Sequence, residues 1–321
     1  MRKPSRAGGV AVGALAVALT AGAFAFAPAS GAVTTVASSG VPASIRPRTP
    51  LKATGAGLGA IAAATRAAAA TSVTNVQAAN WAGYAASFGT TTFRFVSARF
   101  TVPTVDCTGV TATDGAWSSH WVGLDGFRSS SSTVEQTGLL AGCDGTSTTP
   151  VYAPFWEMFP NGPHYPSITV KPGDAISVSV YYNRSTRKFT LTFSDTTRHR
   201  HFTRIRACPA NTTCRRNSAE AISEAPFDTT TSSILPLADF HTEKFANVAI
   251  TNTSGAHRGG LRSSFWNTLR INQVADEVAG DPTNFTITGS PITAGTVLDR
   301  TTALSQNRTF TDKWTSANVT G

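Results

Sequence analysis

Four short stretches of this chain carry a carboxyl or amide group in a setting where it could exchange protons with a substrate. Between residues 152 and 160, Phe155, Glu157 and Phe159 recur at every second position, which in an extended strand places them on one face. The same spacing groups Trp121 with Gly123 and Asp125, and Val134 with Gln136 and Gly138. It also groups Glu220, Ile222 and Glu224 if that segment is extended. A carboxylate near its reference pKa of about 4.3 is a natural acid–base group at acidic pH, and a side-chain amide adds one acceptor and two donors without titrating. Each residue also has a plain structural reading. Asp125 precedes Gly126, a common turn pair. Gln136 could be a strand residue facing solvent, and Glu220 and Glu224, at i and i+4, could lie on the wet face of a helix. Glu157 differs, because a charge between two aromatics costs free energy unless it is paired or used.

Strands must position these groups. Short runs rich in Val, Ile, Thr and aromatics at 93–103, 118–126, 133–142, 151–160, 167–170, 175–183, 188–195 and 247–252 are separated by Gly, Pro, Asn and Asp. Such spacing, with no long amphipathic helix, predicts an all-β fold of antiparallel sheets, a β-sandwich. Residues 171–174, Lys-Pro-Gly-Asp, form a turn between two of the strands.

Other hydrolytic signatures are absent from the sequence: there is no GxSxG elbow, no HExxH, no Asp-Thr-Gly or Asp-Ser-Gly, and no phosphate-cradling glycine loop. No cofactor or metal is expected, since the pair His199 and His201 is the one hint of a ligand set. The 321 residues carry 27 Lys+Arg and 18 Asp+Glu, a net charge of +9. Nine of the basic residues precede the first acid, Asp106, so residues 106–321 balance at 18 against 18. A nucleic-acid partner is therefore not expected of the folded body. The basic run Arg198, His199, Arg200, His201, Arg204 and Arg206 reads as a solvated strand face, or as the surface of a wall or polyanion binder.

The N-terminus reads as an address. Arg2, Lys3 and Arg6 precede an apolar run from Val10 to Ala27, followed by small residues, the pattern of a secretory signal over residues 1–32. Residues 33–75 are mostly Ala, Thr, Ser, Gly and Pro, with Arg46, Arg48, Lys52 and Arg66 and no acid or aromatic, so they read as a propeptide or linker without a core of their own. The β-sandwich domain is expected over residues 76–321, in a secreted, extracellular and monomeric protein that meets no membrane once the signal is removed. Four cysteines suit an oxidising compartment, and of the three pairings Cys107 with Cys143 and Cys208 with Cys214 is favoured, the second closing a turn-like loop.

In order, Asn80-Trp81-Ala82-Gly83, Trp121-Val122-Gly123-Leu124-Asp125-Gly126, Gln136-Thr137-Gly138, Trp156-Glu157-Met158-Phe159-Pro160 and Ala219-Glu220-Ala221-Ile222-Ser223-Glu224 resemble the motifs of the glutamic peptidases, or eqolisins. The resemblance spans roughly residues 80–250. It implies a concanavalin-like β-sandwich, made as a preproprotein, that acts on proteins or peptides in acid. It also implies a catalytic dyad, with Gln136 as the glutamine and Glu224 as the glutamate, and Trp121, Asp125, Phe155, Glu157 and Glu220 lining or supporting the site. Four positions depart from the family pattern: Phe155 for the usual Trp, Glu135 for an apolar residue, and Ala221 and Ser223 for bulkier neighbours of the glutamate. A rival reading keeps the sandwich but makes it glycan-active or glycan-binding, with Glu157 and Glu224 as acid and base and Trp121 or Trp156 as sugar platforms.

Overall fold

The computed structural model describes residues 41, 44–47, 73–110, 115–230, 233–274 and 297–315, and every regular element among them is a strand. The first seven are β1 (Ile45–Arg46), β2 (Val73–Ala78), β3 (Trp81–Ser87), β4 (Phe93–Thr101), β5 (Ala116–Leu124), β6 (Val134–Cys143) and β7 (Val151–Phe159). They are followed by β8 (Ala175–Asn183), β9 (Lys188–Asp195), β10 (Arg200–Ala207), β11 (Ser218–Glu224), β12 (Phe227–Asp228) and β13 (Ser233–Ile234). The last are β14 (Thr242–Asn252), β15 (Arg258–Gly259), β16 (Asn267–Val274), β17 (Val297–Thr301) and β18 (Phe310–Trp314).

One strand order, β10-β9-β8-β4-β14-β18-β17-β16-β3-β11-β5-β6-β7, folds over itself at β14. Residues 242–245 of β14 pair with β18, while its later residues pair with β4 across a register shift. The strand thus turns the corner between two sheets, as a bulged strand does in sandwiches. Neighbours along this path are antiparallel; the short β2 lies parallel to β16. Between the sheets sits an apolar core in which Val96, Val178 and Leu191 of one sheet meet Val122, Leu139 and Ala221 of the other. In β8, buried positions alternate with more exposed ones, whereas β3, β5, β6 and β11 are buried at every residue. The second face of those four is covered too, and it carries the site described below.

Disulfides join Cys107 to Cys143 and Cys208 to Cys214, the favoured pairing. Residues 167–170 form no strand: Pro166 and Pro172 bracket them and remove ladder donors. The expected signal at 1–32 lies outside the described residues, as do Arg48, Lys52 and Arg66. Within 33–75 the segment without a core of its own borrows one, since β1 pairs with β12 and Ile45 is buried against the body. No helix among the described residues is long and apolar enough to cross a membrane.

The interior is unusually acidic. Asp125, Glu135, Glu157, Glu220, Glu243, Asp299 and Asp312 are buried, and neither ion pair found among the described residues includes any of them. Burial raises the pKa of all seven, Asp312 to about 7. An acid whose folded pKa is raised binds its proton more tightly in the folded state. Its stabilisation is complete below the unfolded pKa of about 4 and is lost as pH climbs through the folded value. For Asp312 alone the loss between pH 4 and 7 is on the order of 4 kcal/mol. Urea midpoints followed by tryptophan fluorescence should therefore fall steeply from pH 4 to pH 7, and Asp312→Asn should flatten that slope; a midpoint that rises with pH contradicts this account.

Candidate active site

The register of β11, β5, β6 and β7 aligns Glu220, Gly123, Gln136 and Glu157 in one cross-strand row and Ile222, Trp121, Gly138 and Phe155 in the next. Glu224, opposite Ser119, belongs to a third row. Residues directly opposite one another, and residues two apart along a strand, share a face. All these side chains therefore project to one side, and the intervening Val122, Leu139 and Ala221 fill the core on the other.

Two glycines let the strands and the Trp121 ring pack closely on that face. A Cβ on Gly138 would lie 2.2 Å from the His120 carbonyl oxygen and 2.5 Å from Trp121 Cβ, and one on Gly123 would lie 2.9 Å from the Trp121 ring. The indole of Trp121 consequently lies over Gly123 and reaches across to β11. Its Nε1 donates to Glu224 Oε2 at 2.8 Å, while Asn80 Nδ2 donates to Oε1 at 3.2 Å. Trp81 meets Trp121 edge-on at 4.9 Å, which braces the donor.

On the neighbouring strands, Gln136 Nε2 donates to Glu157 Oε2 at 2.7 Å. Gln136 Oε1 and Glu157 Oε1 are buried without a hydrogen-bond partner. Burial pushes the Glu157 pKa well up, and repulsion from Glu224 adds to this, against the Gln136 hydrogen bond and the Arg46 charge. Glu224 is thus a carboxyl held by two N–H donors, electrostatically coupled to a second carboxyl that favours its proton.

Of the residues singled out in the sequence, Gln136, Glu224, Trp121, Glu157 and Phe155 meet on this face. Asp125 does not reach it. At φ 70° it ends β5, and its oxygens accept the backbone N–H groups of Arg216 at 2.5 Å and Asn217 at 2.9 Å, tying the turn to the start of β11. Glu220 shares the row of Gln136, but the carboxyls that raise its pKa beyond the effect of burial are those of Asp125 and Glu135. Glu135, the family departure, alternates onto the opposite side of β6 and is buried near Asp125. Neither proposed sugar platform is free: Trp121 is fully buried, and Trp156 is stacked on His164 at 4.1 Å with Arg206 4.6 Å from its ring. The basic run lies along β10 at the sheet edge, where Arg198 pairs with Asp174 at 2.6 Å and most of the strand is exposed.

Two contributors escaped the sequence reading of the site, Asn80 and Tyr165, and a third, Arg46, belongs to the four basic residues already singled out in 33–75. Asn80 opens the first motif but had no assigned role. Tyr165 donates its phenol O–H to the Ile45 carbonyl at 3.1 Å. Arg46, one of four basic candidates, lies next to Gly162 and lowers the pKa values of Glu157 and Tyr165 from the levels that burial sets. A fourth group lies on the core side of the sheet, away from the row of Gln136: His120 bridges Ser118 and Ser223, and Ser223 donates to Asp312.

The fold is that of solved glutamic peptidases. Scytalido-glutamic peptidase, solved with a transition state analog inhibitor, superposes with a TM-score of 0.52 at 21% identity, over 74% of this chain and 98% of that one. Aspergilloglutamic peptidase from Aspergillus niger matches at 23% identity, over 62% and 99%, with a TM-score of 0.45. A search of curated protein sequences finds no match. The model of the Peptidase A4 family matches residues 79–289, which contain every residue of the face built from β3, β11, β5, β6 and β7. The chain belongs to the peptidase A4 family, the eqolisins, and is a peptide hydrolase.

Proposed function

We propose that the protein is an exported endopeptidase acting in acid, with Gln136 and Glu224 as its catalytic dyad. The observation that carries this reading is the placement of both side chains on one face of one sheet, flanking Trp121, with the Glu224 oxygens already held by Trp121 and Asn80. Glu224 takes a proton from a water molecule as the water oxygen bonds to the scissile carbonyl carbon. Gln136 spends one N–H on Glu157 and keeps the other for the developing oxyanion, while its Oε1 orients the water. Collapse of the tetrahedral intermediate breaks the C–N bond, and the proton on Glu224 passes to the leaving amine. Glu157 fixes the rotamer of the glutamine amide. Burial and repulsion from Glu224 favour a proton on Glu157, which places a carboxyl that holds its proton beside the proposed base.

The same face supports a zymogen reading. Residues 44–47 lie against it, and the Arg46 charge opposes the effects that raise the Glu157 pKa. Since Arg46 favours ionised Glu157, protonating Glu157 weakens the hold on Arg46 by the same factor. Acidification then loosens the segment, and the pattern of residues 1–32 supplies the export that brings the protein to acidic surroundings.

Digestion of denatured casein from pH 2 to 7 with pepstatin present tests the dyad. Gln136→Ala and Glu224→Gln should each lose at least about a hundredfold in kcat/KM while keeping the wild-type circular dichroism spectrum. Near-normal turnover in either variant removes that residue from the dyad. Processing of the full chain tests the zymogen reading: Arg46→Glu should shift the onset of self-cleavage to higher pH, and an unchanged onset counts against Arg46 as the latch.

A further inference from the structure

The equal charge counts of residues 106–321 hide a segregation. Residues 175–216, from β8 to just before β11, carry nine Lys and Arg and a single acid, Asp195, while the rest of 106–321 holds nine basic residues and seventeen acids. Much of this excess gathers on β10, which ends the strand order and pairs with β9 alone. Phe202 of β10 joins the core, and by alternation Arg200, Arg204 and Arg206 lie on the same side, along the seam between the two sheets. Arg206 reaches across that seam to Trp156 of β7, the end strand of the other sheet, with its Cζ 4.6 Å from the ring centroid. Arg204 lies 5.8 Å from the Phe202 ring. Arg216 stands 3.8 Å over Tyr182, which belongs to the cross-strand row of Phe189 and Arg206.

These guanidinium groups are held in place without being neutralised. Arg204 and Arg206 each donate from Nη1 to the carbonyl of the preceding residue, at 3.0 and 2.9 Å, which uses one of five donors. Neither ion pair found among the described residues includes Arg200, Arg204, Arg206 or Arg216. A flat guanidinium stacked on a ring keeps its edge for paired hydrogen bonds to phosphate oxygens. Alternate residues of a strand are about 7 Å apart, so Arg204 and Arg206 can meet successive anions of one extended polymer. A phosphodiester keeps its charge in acid, where carboxylate polymers lose theirs. The rings at the seam are already stacked, Trp156 on His164 and under Arg206, Phe202 on Phe193, and Tyr182 under Arg216. That disfavours nucleobases, which bind by stacking on open rings, relative to a polymer without them. We propose that the rim of β10 binds a base-free phosphodiester polymer of the poly(glycerol phosphate) kind, on the side of β7 opposite to Glu157.

The test follows the anisotropy of end-labelled poly(glycerol phosphate) titrated with the full-length protein at pH 4 over a series of NaCl concentrations. Affinity should fall linearly with salt on logarithmic axes. Arg204→Gln/Arg206→Gln should weaken binding about tenfold at low salt and reduce the slope by about 1.4, roughly 0.7 for each cation removed. Arg204→Lys/Arg206→Lys keeps the charge and loses the planar fork, so it should retain the slope and bind more weakly than the wild type. Arg300→Gln, at an exposed position of β17, should bind as the wild type does. Binding that is absent, independent of salt, or reduced equally by Arg300→Gln overturns the site. So does wild-type affinity in the lysine variant, which decides the matter if the glutamine variant loses the wild-type circular dichroism spectrum. A thymidine oligonucleotide with the same number of phosphates should bind no more tightly, and tighter binding overturns the proposal in favour of nucleic acid. None of these measurements uses peptide hydrolysis, so the site and the peptidase reading fail separately.

Discussion

A carboxyl group moved from water into a protein interior must be hydrogen-bonded, paired with a cation or protonated, because the bare charge costs several kcal/mol. This chain buries seven acids with raised pKa values and uses the alternatives side by side. Asp125 is satisfied by backbone N–H groups of Arg216 and Asn217, and Glu224 by the indole of Trp121 and the amide of Asn80. Glu135, Glu220 and Asp299 have no well-formed hydrogen bond on either oxygen, and burial outweighs the weaker donors near them, so their protonated forms are favoured. Two solutions meeting in one site are what a proteolytic pair requires: one carboxyl kept ready to accept a proton, and a neighbour that holds its own. The proposed dyad chemistry and the proposed action in acid would then share one origin, the shortage of cations around the buried acids.

The sheet supplies the rest of the catalytic setting. Trp81, Trp121 and Phe155 surround the polar atoms with apolar surface, and Gly123 and Gly138 let the strands approach until the Trp121 indole lies across the gap. In such a low-dielectric enclosure an aligned N–H donor acts more strongly than it would in water, and it needs no reorganisation as charge develops. A larger residue at 138 would meet the backbone of β5 rather than a movable side chain, so the arrangement is fixed by the main chain itself.

Much of this was legible because strands repeat every two residues. Residues 175–183 and 188–195 were read with the bounds of β8 and β9, since each lies between unambiguous turns and shows one wet face. Alternation also grouped Gln136 with Gly138, and Glu220 with Glu224. β3 was missed as a strand because both its faces are buried and its run of small residues has no alternation to read. Which strand lies beside which is not encoded in any local pattern. β11 inserts between β3 and β5, far earlier in sequence, and only that long-range pairing brings Glu224 toward Gln136. Asn80 and Tyr165 were hidden for the same reason: an amide and a phenol have no meaning until the partners they reach are known.

The Arg46–Glu157 coupling joins the two ends of this picture through one titration. A cation that lowers the pKa of a buried acid is itself bound less tightly when that acid is protonated, by the same free energy read in the other direction. On the proposed reading, ionisation of Glu157 would strengthen the hold on the segment at 44–47 and remove the proton that keeps the carboxyl pair asymmetric. Protonation of Glu157 would act in the opposite direction on both. In the proposed scheme a single buried carboxyl, bonded to Gln136 and electrostatically coupled to Arg46, would tie occupancy of the site face and readiness of the proposed dyad to one protonation equilibrium.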